Sequence, residues 1–139
     1  MDGQSDSFEG PVVLVGYIPT PLGDAALAAA IEEARRRERK LVVVNVGHAD
    51  QAYDKRHAGD DDLDRVHRAL EESSVSYEYV PVEALSDASD VLLRMAEERH
   101  AELVVVGIRH RSRVGKLLLG SSAQEILLGA RCPVLAVKA

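Results

Sequence analysis

Of 139 residues only one, Cys132, is a cysteine. An intramolecular disulfide and a cysteine-built zinc site are therefore excluded, and with no base singled out for it the thiol reads as a small structural residue ahead of Pro133. Long apolar runs are missing too: stretches such as Leu41 to Val44 are far too short to span a membrane. Met1 to Gly10 is polar and acidic and lacks the basic start and apolar stretch of a signal peptide. A fraying tail over residues 1–10 and a cytoplasmic setting are the expectation. The chain shows no internal repeat, no glycine-serine-glycine elbow of a hydrolase and no lysine-bearing phosphate loop, since Lys116 precedes Leu117 rather than serine or threonine. Ser121 and Ser122 have no histidine and acid partners recognisable from spacing, so no catalytic role is assigned to them.

What is present is an alternation of short apolar runs and helical periods from residue 11 to residue 139, the mark of strand-helix units wound around a parallel sheet in one domain. The strands read as Val12 to Gly16, Leu41 to Gly47, Tyr77 to Val82, Leu103 to Gly107 and Val134 to Val137. Between them Leu27, Ala30, Ile31 and Ala34 recur at helical spacing, as do Leu63, Val66 and Leu70, and Ala88, Val91, Leu92, Met95 and Ala96. Pro21 and Asp24 open the first helix, Ser86 or Asp87 the third, and Ser121 or Ser122 the last. His48 to Asp62 reads as a long polar loop. Right-handed crossovers then put helices on both faces of a five-stranded sheet.

Charge singles out one segment. Removing Arg109, Arg111, Arg113 and Lys116 takes the formal net charge from −6 to −10, so the positive charge around His110 is local. A basic loop at the carboxyl edge of a strand in an acidic protein suits a small anion, whereas a nucleic-acid duplex would need a broader basic face. A solvated surface loop has the same composition.

The segment Gly107 to Ser122 resembles the nucleotide loop of the universal stress protein family: glycine, two residues, glycine, nine residues, then glycine followed by serine or threonine. Gly107, Gly120 and Ser121 fall in register, and His110 replaces the middle glycine. The likeness extends through VVLVG, LVVVNV, AEERHAELVVVG and CPVLAVK to nearly the whole chain. It implies a single flavodoxin-like, Rossmann-like α/β domain with strand order 3-2-1-4-5. It also implies a site for an adenine nucleotide, ATP or AMP, or a related anion, with any Mg²⁺ carried by the nucleotide. Glycines admit the phosphates, Ser121, Ser122 and the amides of a helix start bind them, and backbone near Val46 serves adenine. Arginine forks of Arg109, Arg111 and Arg113, with His110, suit phosphate oxygens. Gly16, Tyr17, Thr20, Val44 and Val46 complete the expected pocket, Tyr17 either stacking on a base or covering the sheet edge. A second departure is Ile18-Pro19-Thr20, where many members carry aspartate, glycine and serine.

His48, Asp50, His57, Asp60, Asp61, Asp62 and His67 match no familiar zinc or calcium spacing and read as a solvated helix start, so no protein-built metal site is expected. Val134 to Lys138 would form a bare sheet edge, and members of this family commonly pair that strand with its mate, which implies a homodimer. The expected protein is a ligand sensor with at most slow, incidental ATP turnover. Its alternative is a nucleotide-free dimeric interaction module whose basic loop meets an acidic protein.

Overall fold

The computed structural model describes residues 10–48, 60–108 and 120–138. In chain order they form β1 (Val12–Gly16), α1 (Pro21–Arg37), β2 (Lys40–His48), α2 (Asp60–Ser73), β3 (Tyr77–Ala84), α3 (Ala88–Glu98), β4 (Ala101–Gly107), α4 (Ser121–Gly129) and β5 (Val134–Val137). One parallel sheet carries the strands in the order β3-β2-β1-β4-β5, as the resemblance implied. The first two helices run the sheet outward in one direction and the last two in the other, so right-handed crossovers place the pairs on opposite faces.

The packing follows that division. Val13, Val15, Leu41, Val43 and Val105 meet Leu27, Ala30 and Ala34 of α1 and Val66 and Leu70 of α2. Leu14, Val42, Val44, Val104 and Val106 meet Val91, Leu92 and Met95 of α3 and Ile126 of α4. β1, β2 and β4 are apolar at nearly every position because both their faces are covered. The outer strands β3 and β5 are only half buried. Leu41 N donates to Ser76 O, so β3 bonds β2 through its even-numbered residues from Ser76 onward, and the missing N–H of Pro81 falls on the free edge where no ladder bond is lost.

Polar residues extend three strands beyond the apolar runs that mark them in the sequence. β2 begins at Lys40, whose buried ammonium lies 3.3 Å from Glu78 of β3. Glu78 also receives both guanidinium nitrogens of Arg99, at 2.6 and 3.1 Å. β4 begins at Ala101, and the next residue, Glu102, accepts from Arg37 and Arg39. β3 continues through Glu83 to Ala84, register partners of Gly47 and His48. The polar connection expected to run to Asp62 stops earlier, because Asp60, Asp61 and Asp62 already form the first turn of α2, where negative charge suits the helix dipole. Residues 49–59 within it lie outside the described residues, as does the tail 1–9.

Candidate functional site

At the carboxyl edge the sheet changes direction between β1 and β4, the place where open α/β sheets bind ligands. A cavity of about 200 Å³ opens there. Gly16, Tyr17, Ile18, Val44, Val46, Val106 and Gly107 supply its floor from the strand ends. Leu22 and Gly23 of α1, Ala88 and Leu92 of α3, and Ser122, Ala123 and Ile126 of α4 close it. Among the described residues the side chains that face it are aliphatic apart from Ser122, which suits a flat apolar ring system rather than a charged group.

The β1–α1 turn is tightly built. Thr20 N donates to Ile18 O across Pro19, and Thr20 Oγ1 accepts from Gly23 N at 3.0 Å. The Thr20 hydroxyl, expected at the ligand, is instead the cap of α1, with Pro21 at the first helical position, and Thr20 does not line the cavity. Tyr17 resolves by register. Its ring follows Val13 and Val15 into the layer of α1 and α2 and is 1% exposed, so it covers the sheet edge and does not offer a stacking face to the cavity. Its hydroxyl donates to Asp24 at 3.0 Å and accepts from Arg65 at 3.3 Å, and burial, with the Asp24 carboxylate behind it, pushes it up to about 12. Its N–H donates to Val44 O, and its carbonyl accepts from the buried Asn45 amide at 2.9 Å. A lone asparagine within LVVVNV was the visible signal of this anchor.

The backbone of Val46 points to the β1 side, as that of Val44 does, but beyond the last residue of β1. Gly16 and Gly107 have reasons inside the protein: an added Cβ would lie 2.8 Å from Leu92 Cδ1 and 2.7 Å from Leu22 Cγ, respectively. Gly120 has no such reason. Its φ is −66°, and among the described residues a Cβ there would meet no heavy atom within 4 Å. Gly120 stands at the N-cap of α4, which has no side-chain cap and no acidic residue in its first turn, while Ser121 and Ser122 are exposed beside it. The positive end of that helix is thus left uncompensated by α4 itself.

Arg109, His110, Arg111 and Arg113 lie outside the described residues, as do Asp50 and His57 and the side chains of His48 and Asp60. Among the described residues no group of three or more histidine, cysteine or acidic side chains is placed to hold a metal. Cys132 is half buried, and burial pushes its thiol up, away from the thiolate that a nucleophile needs. Leu22, Ala88, Leu92, Val106 and Ile126, all in the cavity wall, were not legible as site residues because a cavity-lining aliphatic has the same sequence signature as a core one.

A doubly wound α/β domain with an aliphatic crevice at its switch point, bordered by an open helix N-terminus, is the class of protein these features define. Residues 11–138 match the universal stress protein family. A universal stress protein of Mycolicibacterium smegmatis is 45% identical over 128 residues, covering 91% of this chain and 97% of the relative. The solved structure of a universal stress protein from Archaeoglobus fulgidus superposes with a TM-score of 0.74 at 25% identity, over 93% of this chain and 99% of that one. Another from that organism, in complex with dAMP, gives 0.70 at 21% identity, over 94% and 100%. The chain belongs to the universal stress protein family. No helix among the described residues is long and apolar enough to cross a membrane.

Proposed function

We propose that this protein senses an adenine nucleotide, AMP or ATP, without performing chemistry on it. The observation that carries the reading is Gly120, a glycine that neither backbone conformation nor packing among the described residues requires, standing at a helix N-terminus that α4 itself neither caps nor compensates, beside an aliphatic cavity. A phosphate approaching the first amides of α4 gives that missing side chain a purpose, while the base enters the cavity against the Val46 backbone. A universal stress protein from Archaeoglobus fulgidus with the same fold was solved in complex with dAMP, which supports an adenine nucleotide as the class of ligand. Mg²⁺, when present, arrives on the phosphates of ATP. The output is a ligand-favoured state of a cytoplasmic homodimer paired through the edge strand Val134 to Lys138. Among the described residues β5 pairs with β4 alone, its residues are half buried, and α4 just before it exposes Leu128, which supports an apolar partner surface on that side. The basic segment 109–116 recruits the anion, and neither a nucleic acid nor a membrane is a partner.

Gly120→Asp puts a carboxylate where the phosphate is placed and should leave the fold intact, because among the described residues the position is open and its φ is ordinary. Calorimetric titration of ligand-free protein with AMP should show affinity reduced by about tenfold or more, with the unfolding midpoint in the absence of ligand unchanged or slightly raised, since aspartate is a good N-cap. Unchanged affinity in the folded variant would remove the phosphate from this helix. An unmodified protein that ignores AMP and ATP, yet captures an acidic protein in a salt-sensitive way, would favour the nucleotide-free interaction module.

A further inference from the structure

We propose that Ser89 is a positioning residue for the phosphate end of the site, acting through Glu125; the inference rests on the nucleotide reading above. Ser89 is the second residue of α3 and is fully buried, at 0% exposure, in a stripe otherwise made of Ala88, Val91, Leu92, Met95 and Ala96. A hydroxyl in such a place must find a partner or destabilise the core. Serine early in a helix usually satisfies itself on local backbone. This one reaches across to the neighbouring helix and donates to Glu125 Oε1 of α4.

The contact matters because α4 is thinly seated. Ile126 is its one fully buried side chain among the described residues, Leu127 and Leu128 face solvent, and Gly129 lies against Leu93. Apolar contacts of this kind are non-directional, whereas a hydrogen bond to a carboxylate adds a directional restraint. Glu125 sits one turn beyond Ser121 and Ser122, and Ala88, the neighbour of Ser89, lines the same cavity as Ser122. The Ser89–Glu125 bond therefore restrains how the first amides of α4 meet the cavity. The base rests mainly on strand ends that Ser89 does not touch and meets α4 only through the edge of the cavity at Ser122, Ala123 and Ile126, so it depends on the bond less than the phosphate does.

That separation makes the role testable with two ligands that differ by one phosphate. Ligand-free protein is titrated calorimetrically with AMP and with adenosine. Ser89→Ala should bind AMP about tenfold more weakly, the scale of one hydrogen bond to a charged group, while adenosine binding stays within about twofold. Should Ser89→Ala fold poorly, Glu125→Ala alters an exposed side chain and should give the same selective loss. Glu125→Gln, whose amide oxygen accepts the same bond, should retain AMP. Equal losses for AMP and adenosine would show a structural role only, and no loss for either would remove the role altogether; both overturn the inference while leaving the nucleotide reading in place. Failure of the unmodified protein to bind either ligand would overturn the reading itself and the inference with it.

Discussion

Gly23→Ala should destabilise the protein by more than about 3 kcal/mol and lower its unfolding midpoint by roughly 10 °C or more. The added Cβ would lie 1.8 Å from the carbonyl oxygen of Ile18, 2.8 Å from its carbonyl carbon and 3.0 Å from its nitrogen, and all three are backbone atoms that no rotamer change can move. The turn cannot simply open. Ile18 O is held by Thr20 N, Gly23 N is held by Thr20 Oγ1, and Tyr17 just before them is anchored to Val44 and Asn45. Helix propensity alone would favour alanine over glycine by about 1 kcal/mol, so the sign of the effect separates packing from propensity. Because Gly23 and Ile18 also wall the cavity, any fraction that folds should bind AMP poorly. Thermal unfolding followed by circular dichroism is the check, and a midpoint equal to that of the unmodified protein would refute the turn geometry.

Glu78→Gln should cost about 2–3 kcal/mol at neutral pH, less than a wholly buried pair because Glu78 and Arg99 are partly exposed. The cost falls on Lys40. Lys40 is 4% exposed with its ammonium 3.3 Å from Glu78, and its charge would be left beside a neutral amide. Lys40→Met in the same background should recover part of the loss by removing the buried charge. The Arg99 guanidinium, assisted by Lys40, holds the Glu78 carboxyl below its ordinary value of 4.5. The pairing is therefore at full strength above that value and fades as pH falls through the lowered folded-state value. Urea unfolding at pH 7 and at pH 3 should show the gap between Glu78→Gln and the unmodified protein narrowing in acid. A gap that stays constant, or widens, would mean that the Glu78 carboxylate is not what stabilises Lys40.

The fold was legible in the sequence because burial on two faces leaves a plain trace. LVVVNV and LVVVG are runs that only a covered parallel strand tolerates, and the stripe from Ala88 to Ala96 has one helical face. Strand ends were less legible because Lys40 and Glu102, polar in the sequence, are satisfied by partners 38 and 65 residues away, Glu78 and Arg37. For the site, the spacing from Gly107 to Gly120 and Ser121 marked the helix start correctly, since backbone chemistry there needs those residue types. Thr20 followed by proline was also an N-cap signal, and its hydroxyl caps α1. Gly23 was visible as a glycine misplaced in a first helical turn, but nothing in a linear sequence says which atom fills the space it leaves. Tyr17 required knowledge of which face of β1 looks toward α1. Ser89 looked like one more small residue in an apolar stripe, and its partner Glu125 lies 36 residues along the chain.

The measurement that most directly tests the central claim is the thermal midpoint of protein stripped of ligand, followed across a titration with AMP and with ATP and Mg²⁺. A ligand that binds only the folded state should raise stability by roughly 2.7 kcal/mol at one hundred times its dissociation constant, moving the midpoint upward by several degrees and saturating as the logarithm of concentration predicts. That rise is the expected result, with Gly120→Asp showing little of it. A midpoint that stays flat for both nucleotides in a well-folded sample would contradict the account and leave the cavity beside Gly120 without a nucleotide.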